Sequence, residues 1–287
     1  MNITPECKVC ILNQSQRVLT TIGANATLSK RVLDETFKIL SEQEYNISPP
    51  EVANLTYGII SEMSGIEDLY KNEKLEATKK AKTFIPFIEQ KIDNSNDEFL
   101  YSLKTAVAGN VLDLATPTDF NLNDEIEKIF DKDFAINDSK KLFDDLKEAK
   151  EILILADNAG EHIFDKIFIN NLKKLFPKLT INYATRGIPI INDVTFDEAK
   201  NDGLDKICNL IDSGVNTPAF IYDRANENAQ KIYDRVDLVI SKGMGNFETL
   251  NEIDNKKIYF LFKVKCNVVA NQVGQKLGEI ICKLNLK

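Results

Sequence analysis

The amino-acid sequence predicts an α/β protein, with a helical bundle over residues 1–148 followed by a three-layer α/β/α domain over residues 149–287 whose sheet is mostly parallel. Three observations lead there. Up to about Lys150 the apolar residues recur at helical spacing, and Val and Ile are too dispersed to suggest strands. Beyond Lys150 short apolar runs ending in polar or glycine residues alternate with helical stretches. The composition, 43% hydrophobic and 28% charged over 287 residues, is that of a globular protein near the size at which one core stops growing. One large unit or two coupled domains is expected. No internal repeat, low-complexity segment or Gly/Ser linker separates the halves, so they should pack closely.

In the first half, Cys7-Lys-Val-Cys10 begins a helix-like stretch. Ser48-Pro49-Pro50-Glu51 is a helix start, because serine caps and proline is tolerated in the first turn, leading into Val52, Leu55, Ile59 and Ile60. Asn96 or Asp97 can cap the next clear helix, on which Leu100, Leu103, Val107, Val111 and Leu114 form one stripe with Asn110 beside it.

In the second half, Ile152 to Leu155 is a strand ending at Asp157-Asn158. A helix from about Glu161 to Leu175 follows, stopped by Pro177, and Thr180 to Ala184 is a second strand ending at Thr185-Arg186-Gly187. Ile207 to Ile211 ends at Ser213-Gly214, Leu238 to Ile240 at Lys242-Gly243, and Ile258 to Phe262 at Lys263. Strands apolar throughout and separated by helices imply a parallel sheet covered on both faces, with right-handed crossovers. Ligands of such sheets bind outside the carboxyl ends of the strands, where these polar clusters fall.

Several functions are disfavoured by composition. With 36 Lys+Arg against 44 Asp+Glu the chain carries −8 and has no basic block, so nucleic acid is not an expected partner. No apolar run approaches the roughly 18 residues of a membrane span, and the opening MNITPECKVC lacks a hydrophobic signal segment. No membrane partner and a cytoplasmic location are therefore expected. Five cysteines, an odd number, fit a reducing compartment. A single histidine, His162, excludes zinc and iron sites built on several imidazoles, and no Gly-x-Ser-x-Gly elbow supplies a nucleophile for a triad. Any metal must be held mainly by oxygen. His162 itself reads as a helix-surface residue.

At the strand ends, Asp157 and Asn158 offer the hard oxygen donors that Mg²⁺ or Mn²⁺ prefers, or else they cap the following helix. Arg186 suits a phosphate or carboxylate and Asp193 could complete an oxygen-donor site; the alternative is a second cap and a surface ion pair. Lys242-Gly243-Met-Gly245-Asn246 is either a loop whose backbone approaches an anion or a plain turn, and it is neither a Walker A loop nor Gly-x-Gly-x-x-Gly. Lys263, closing an apolar strand, is a functional cation or a snorkelling side chain. Cys7 and Cys10 read as two packed thiols rather than half of a zinc site or a redox pair.

Taken together and in this order, Asp157-Asn158-Ala-Gly-Glu161, Arg186-Gly187 with Asn192-Asp193, Lys242-Gly-Met-Gly-Asn246-Phe-Glu248 and Lys263-Val-Lys-Cys266-Asn267 resemble the damage-control phosphatase family, long catalogued as domain of unknown function 89. Cys7-Lys-Val-Cys10 and Ala-Gly109-Asn110-Val-Leu-Asp113 resemble its prokaryotic branch. The resemblance implies a metal-dependent phosphatase of small phosphorylated metabolites such as sugar phosphates, using a divalent metal (Mn²⁺, Mg²⁺, Ni²⁺ or Co²⁺). By that analogy Asp157, Asn158 and Asp193 are the metal ligands, and Asp157 and Lys263 are the catalytic pair, Lys263 contacting the phosphate. Glu161, Arg186, Gly243, Asn246 and Asn110 then stand on the substrate side. Met244 occupies a position where members often carry a polar residue. Water attack and a phospho-Asp157 intermediate both remain open. Two other readings use the same strand ends: an S-adenosylmethionine-dependent methyltransferase, for which the glycine-rich loop after the first strand is missing, and a non-catalytic metabolite-binding protein.

Overall fold

The computed structural model of the chain describes residues 1–111 and 122–285. Three helices come first, α1 (Pro5–Thr21), α2 (Ala26–Glu42) and α3 (Pro49–Ser64), packed around Val18, Val32, Val52 and Ile60. Their starts follow from local chemistry. Pro5 occupies the first turn of α1, the Asn25 side chain accepts the Leu28 N–H at 2.9 Å, and the Glu51 carboxylate accepts the Ser48 N–H at 3.1 Å. Next come α4 (Lys71–Thr83), α5 (Ile85–Asp93), α6 (Glu98–Val111) and α7 (Leu122–Asp131). Of the two expected caps of α6, Asp97 is the one that accepts the Leu100 N–H, at 2.9 Å. Leu114, the last residue of the predicted stripe, lies outside the described residues.

The rest alternates strand and helix: β1 (Ile136–Asn137), α8 (Ser139–Glu148), β2 (Glu151–Leu155), α9 (Glu161–Leu175), β3 (Thr180–Thr185), α10 (Phe196–Asn201), β4 (Asn209–Asp212), α11 (Glu227–Arg235), β5 (Leu238–Lys242), α12 (Gly243–Leu250), β6 (Ile258–Lys263), α13 (Asn267–Val273) and β7 (Ile280–Leu284). The seven strands form one sheet in the order β1-β7-β6-β5-β2-β3-β4. Pairing is parallel except between β6 and β7. The sheet has helices on both faces, which explains the unbroken apolar runs: Ile152 and Ile154 point into one core, Leu153 and Leu155 into the other. The first core takes α8, α9 and the α6 residues Phe99, Leu103 and Val107; the second takes α11, α12 and α13. Packing thus runs across the change of periodicity near residue 149.

Three local expectations are corrected. The strands β1 and β7 were not expected: β1 is two residues long and is defined only by its partner, and β7 turns antiparallel against β6. The strand expected over 207–211 begins at Asn209, because Leu204–Lys206 forms a short 3₁₀ turn and the N–H groups of Ile207 and Cys208 bond back to the Leu204 carbonyl at 3.0 and 3.1 Å.

Register places the polar strand ends together. Leu155 pairs with Ala184 on β3 and with Ser241 on β5. Two residues further along each parallel strand, Asp157, Arg186 and Gly243 therefore emerge side by side. This is also where the chain, having laid β3 and β4 on one side of β2, returns to lay β5 and β6 on the other, the topological switch point at which such sheets bind ligands.

Candidate active site

The segment after β2 is stitched to the segment after β3. Val194 donates its N–H to the Asp157 carbonyl at 2.9 Å, Ala159 donates to the Asn192 carbonyl at 2.8 Å, and Asn158 and Asp193 form an isolated antiparallel bridge. These bonds bring Asp157, Asn158 and Asp193 to one wall of a cavity of about 460 Å³. None of the three acts as a helix cap. The residue preceding α9 is Gly160, which contributes no side-chain bond, and α10 is capped by Thr195 with Glu198. Ile191, also in the cavity wall, is held at φ 47°, a conformation costly for a β-branched residue and tolerated here two residues before Asp193.

Glycine is required at 243. Its φ is +79°, and a Cβ there would overlap the Asp157 carboxylate. Gly109 on α6 is equally constrained, since a Cβ would stand 2.8 Å from the Glu161 Cα. Glu161 is itself buried, accepts the Asn158 amide at 2.7 Å, and lies 3.7 Å from the Lys242 ammonium. The Asn158 amide also reaches Asp157 Oδ2 at 3.0 Å, which commits its nitrogen and leaves its oxygen as a donor atom for a cation.

Behind this wall the charges are strongly coupled. Burial, with repulsion from Glu161 and Asp193, raises the Asp157 carboxyl well above the ordinary carboxylate range. Burial likewise pushes Asp193 up to about 6, although the Arg186 guanidinium opposes it. Arg186 is 1% exposed, not a surface ion pair; it donates Nε–H to Asp193 at 2.7 Å and an Nη2 hydrogen to Asn246 at 3.2 Å. Asn246 is a staple rather than part of the cavity wall, donating to the Ala156 and Lys242 carbonyls at 3.1 and 2.7 Å and accepting the Phe220 N–H at 2.6 Å. Lys242 is buried against Asp165 at 2.6 Å, which also accepts the Tyr183 hydroxyl at 2.8 Å.

The residues fit a hard divalent cation. Two buried carboxyls raised above their ordinary range chiefly by burial, with an amide oxygen beside them, are the donor chemistry such ions take up. Among the described residues no set of three His, Cys, Asp or Glu side chains converges to hold a metal.

Of the other expected residues, Lys263 closes β6 half-buried and stands outside the wall of this cavity, which Lys265 lines instead. Asn110 is a backbone residue of α6 whose side chain lies outside the described residues. Cys7 and Cys10 do lie on a helix, and both line the cavity together with Cys266. His162 is corrected: it is fully buried, accepts the Gly160 N–H on Nδ1 at 3.1 Å and bonds Asp202 through Nε2 at 2.7 Å. It thereby fixes the turn that carries Asp157 and Asn158. Sequence reading named Glu248 within a motif but gave it no role, although its position four residues after Met244 puts both on one face of α12 and both in the cavity wall.

Known proteins resemble the chain over nearly its whole length. The chain is 31% identical to a damage-control phosphatase of Pyrococcus horikoshii over 289 residues, covering 99% of each, and 29% identical to a damage-control phosphatase of Archaeoglobus fulgidus over 291 residues, again covering 99% of each. A crystal structure of a domain-of-unknown-function-89 protein from Pyrococcus horikoshii superposes with a TM-score of 0.93 at 30% identity, covering 99% of both chains. The damage-control phosphatase ARMT1-like domain matches residues 3–281, and with nearly the whole chain accounted for in sequence and in fold, the protein belongs to the damage-control phosphatase family.

Proposed function

We propose that the protein is a metal-dependent phosphomonoesterase acting on small phosphorylated metabolites, sugar phosphates among them. The observation that carries this reading is the convergence of Asp157, Asn158 and Asp193 on one cavity wall, with both carboxyls raised above their usual range chiefly by burial. A divalent ion such as Mn²⁺, Mg²⁺, Ni²⁺ or Co²⁺, held by these three residues, would supply charge neutralisation for phosphoryl oxygens. Arg186 keeps Asp193 oriented by its 2.7 Å bond, and Gly243 leaves room for the Asp157 carboxylate. Lys263 is assigned to the phosphate, with Lys265 on the cavity wall as the rival cation. A phosphoryl group needs such fixed positive charge from a side away from the metal. Glu161 borders the metal ligands, and Arg186 and Asn246 act from behind them.

No helix among the described residues is long and apolar enough to cross a membrane, and all five cysteines are free. Both are consistent with work in the cytoplasm. The test is hydrolysis of a generic aryl phosphate by chelator-treated protein, with and without each of the four ions. Turnover that returns with one or more ions supports the assignment; full activity after chelation, or none with any ion, overturns it. Asp157→Ala should abolish turnover, whereas Asp34→Ala on α2 should not.

A further inference from the structure

The cavity wall that carries Asp157, Asn158 and Asp193 is otherwise a mixture of apolar side chains, such as Ile11, Pro50 and Leu277, with a few polar ones, Gln14 and Lys265 among them. Into the same cavity, whose wall also carries Met244, Cys10 and Cys266, α12 presents Glu248. This residue is only 8% exposed. Among the described residues no hydrogen bond or ion pair ends on its carboxyl oxygens. The bonds received by Glu248, from the Met1 α-amine at 2.5 Å and from the Asn251 amide at 3.2 Å, end on its backbone carbonyl. Burial pushes its carboxyl up to about 8, with only the nearby α-amine pulling the other way.

The contrast with the other buried acids is informative. Asp165 is paired with Lys242 and Tyr183, and Asp193 with Arg186. Glu248 has no such hydrogen-bonded partner among the described residues, and its carboxyl opens onto the cavity, where a buried polar group can be satisfied from outside the chain. Pockets of this kind recognise small molecules with apolar walls and a few placed polar groups that set orientation. The group that would satisfy Glu248 must come from the cavity.

We propose that Glu248 is a substrate-orienting residue, hydrogen-bonded by a single hydroxyl or amino group on the organic part of a phosphate ester whose phosphate lies at Asp157, Asn158 and Asp193. This rests on the phosphatase reading above. It adds to that reading a donor group on the substrate, placed away from the phosphate.

The experiment compares kcat/KM for alkyl, ω-hydroxyalkyl and ω-aminoalkyl monophosphates of increasing chain length, using metal-loaded wild type, Glu248→Gln and Glu248→Met. At one length the wild type should favour an ester carrying a donor over the plain alkyl ester by about tenfold or more, mainly through KM. Glu248→Met should erase that preference, and Glu248→Gln should keep it for the hydroxyl ester. Equal turnover of all three ester types at every length, or a preference retained by Glu248→Met, overturns the assignment while leaving the phosphatase reading intact. No hydrolysis of these esters or of an aryl phosphate with any ion overturns both.

Discussion

Arg186 and Asp193 form a buried ion pair: Nε donates to Oδ2 at 2.7 Å, and the two side chains are 1% and 4% exposed. A guanidinium at the end of β3 thus holds a carboxylate of the candidate metal site and, through its other arm, touches Asn246, which ties β2 to β5. Removing one partner of such a pair strands the other. Arg186→Leu should therefore lower stability by roughly 3–5 kcal/mol, read from urea unfolding. Arg186→Lys should recover only part of it, because an ammonium cannot reproduce the fork that reaches both Asp193 and Asn246.

Gly243→Ala should separate folding from function. The added methyl group meets the Asp157 carboxylate and sits at a positive φ. If the carboxylate is the part that yields, activity should fall at least about a hundredfold, as for a reacting group displaced by an ångström, with a circular dichroism spectrum close to wild type. Metal affinity measured by calorimetry should fall with it.

The two lysines after β6 are distinguishable. Lys263→Ala should lower turnover by about two orders of magnitude or more with the fold intact, as for loss of one preorganised electrostatic donor. Lys265→Ala should cost less. The reverse ranking in steady-state kinetics would move the phosphate contact to Lys265, which lines the cavity.

Glu248 should make stability fall as pH rises. Its folded-state carboxyl, at about 8, lies above the ordinary 4.5, so between these values the folded chain binds more proton than the unfolded chain. The favourable contribution is complete below pH 4.5 and is lost as pH rises through about 8. Glu248→Gln lacks this titration. Thermal melts should show the variant gaining on wild type across that window, by a few kcal/mol at its alkaline end. A constant difference from pH 4.5 to 8 would show that the carboxyl titrates normally.

Adding metal to chelated protein should raise the melting temperature of wild type and not that of Asp157→Ala, since a ligand bound only by the folded state stabilises by mass action. Differential scanning calorimetry at several metal concentrations checks it.

Local pattern alone was enough to read the helix Glu161–Leu175, the strands Ile152 to Leu155 and Ile258 to Phe262 to within a residue of their observed bounds, and the start of the helix at Pro49. Each is set by the spacing of its own apolar residues, by a cap or by a proline. Asp157, Asn158 and Asp193 were singled out through the family resemblance of the clusters at the strand ends, and the fold brings the three to one cavity wall. Tertiary structure decided the rest. β1 exists only because Ile136 pairs with Ile281, and a two-residue ladder has no periodicity to read. His162, which read as a helix-surface residue, is buried because Asp202, forty residues away, comes to its Nε2. Arg186 and Asn246, which in sequence looked like substrate contacts, became the support behind Asp193, and Glu248 entered the cavity with Cys7, Cys10 and Cys266 from separate segments. A charged side chain's partner is fixed by sheet register and helix packing, interactions between residues far apart in the chain, so its role cannot be read from its neighbours in sequence.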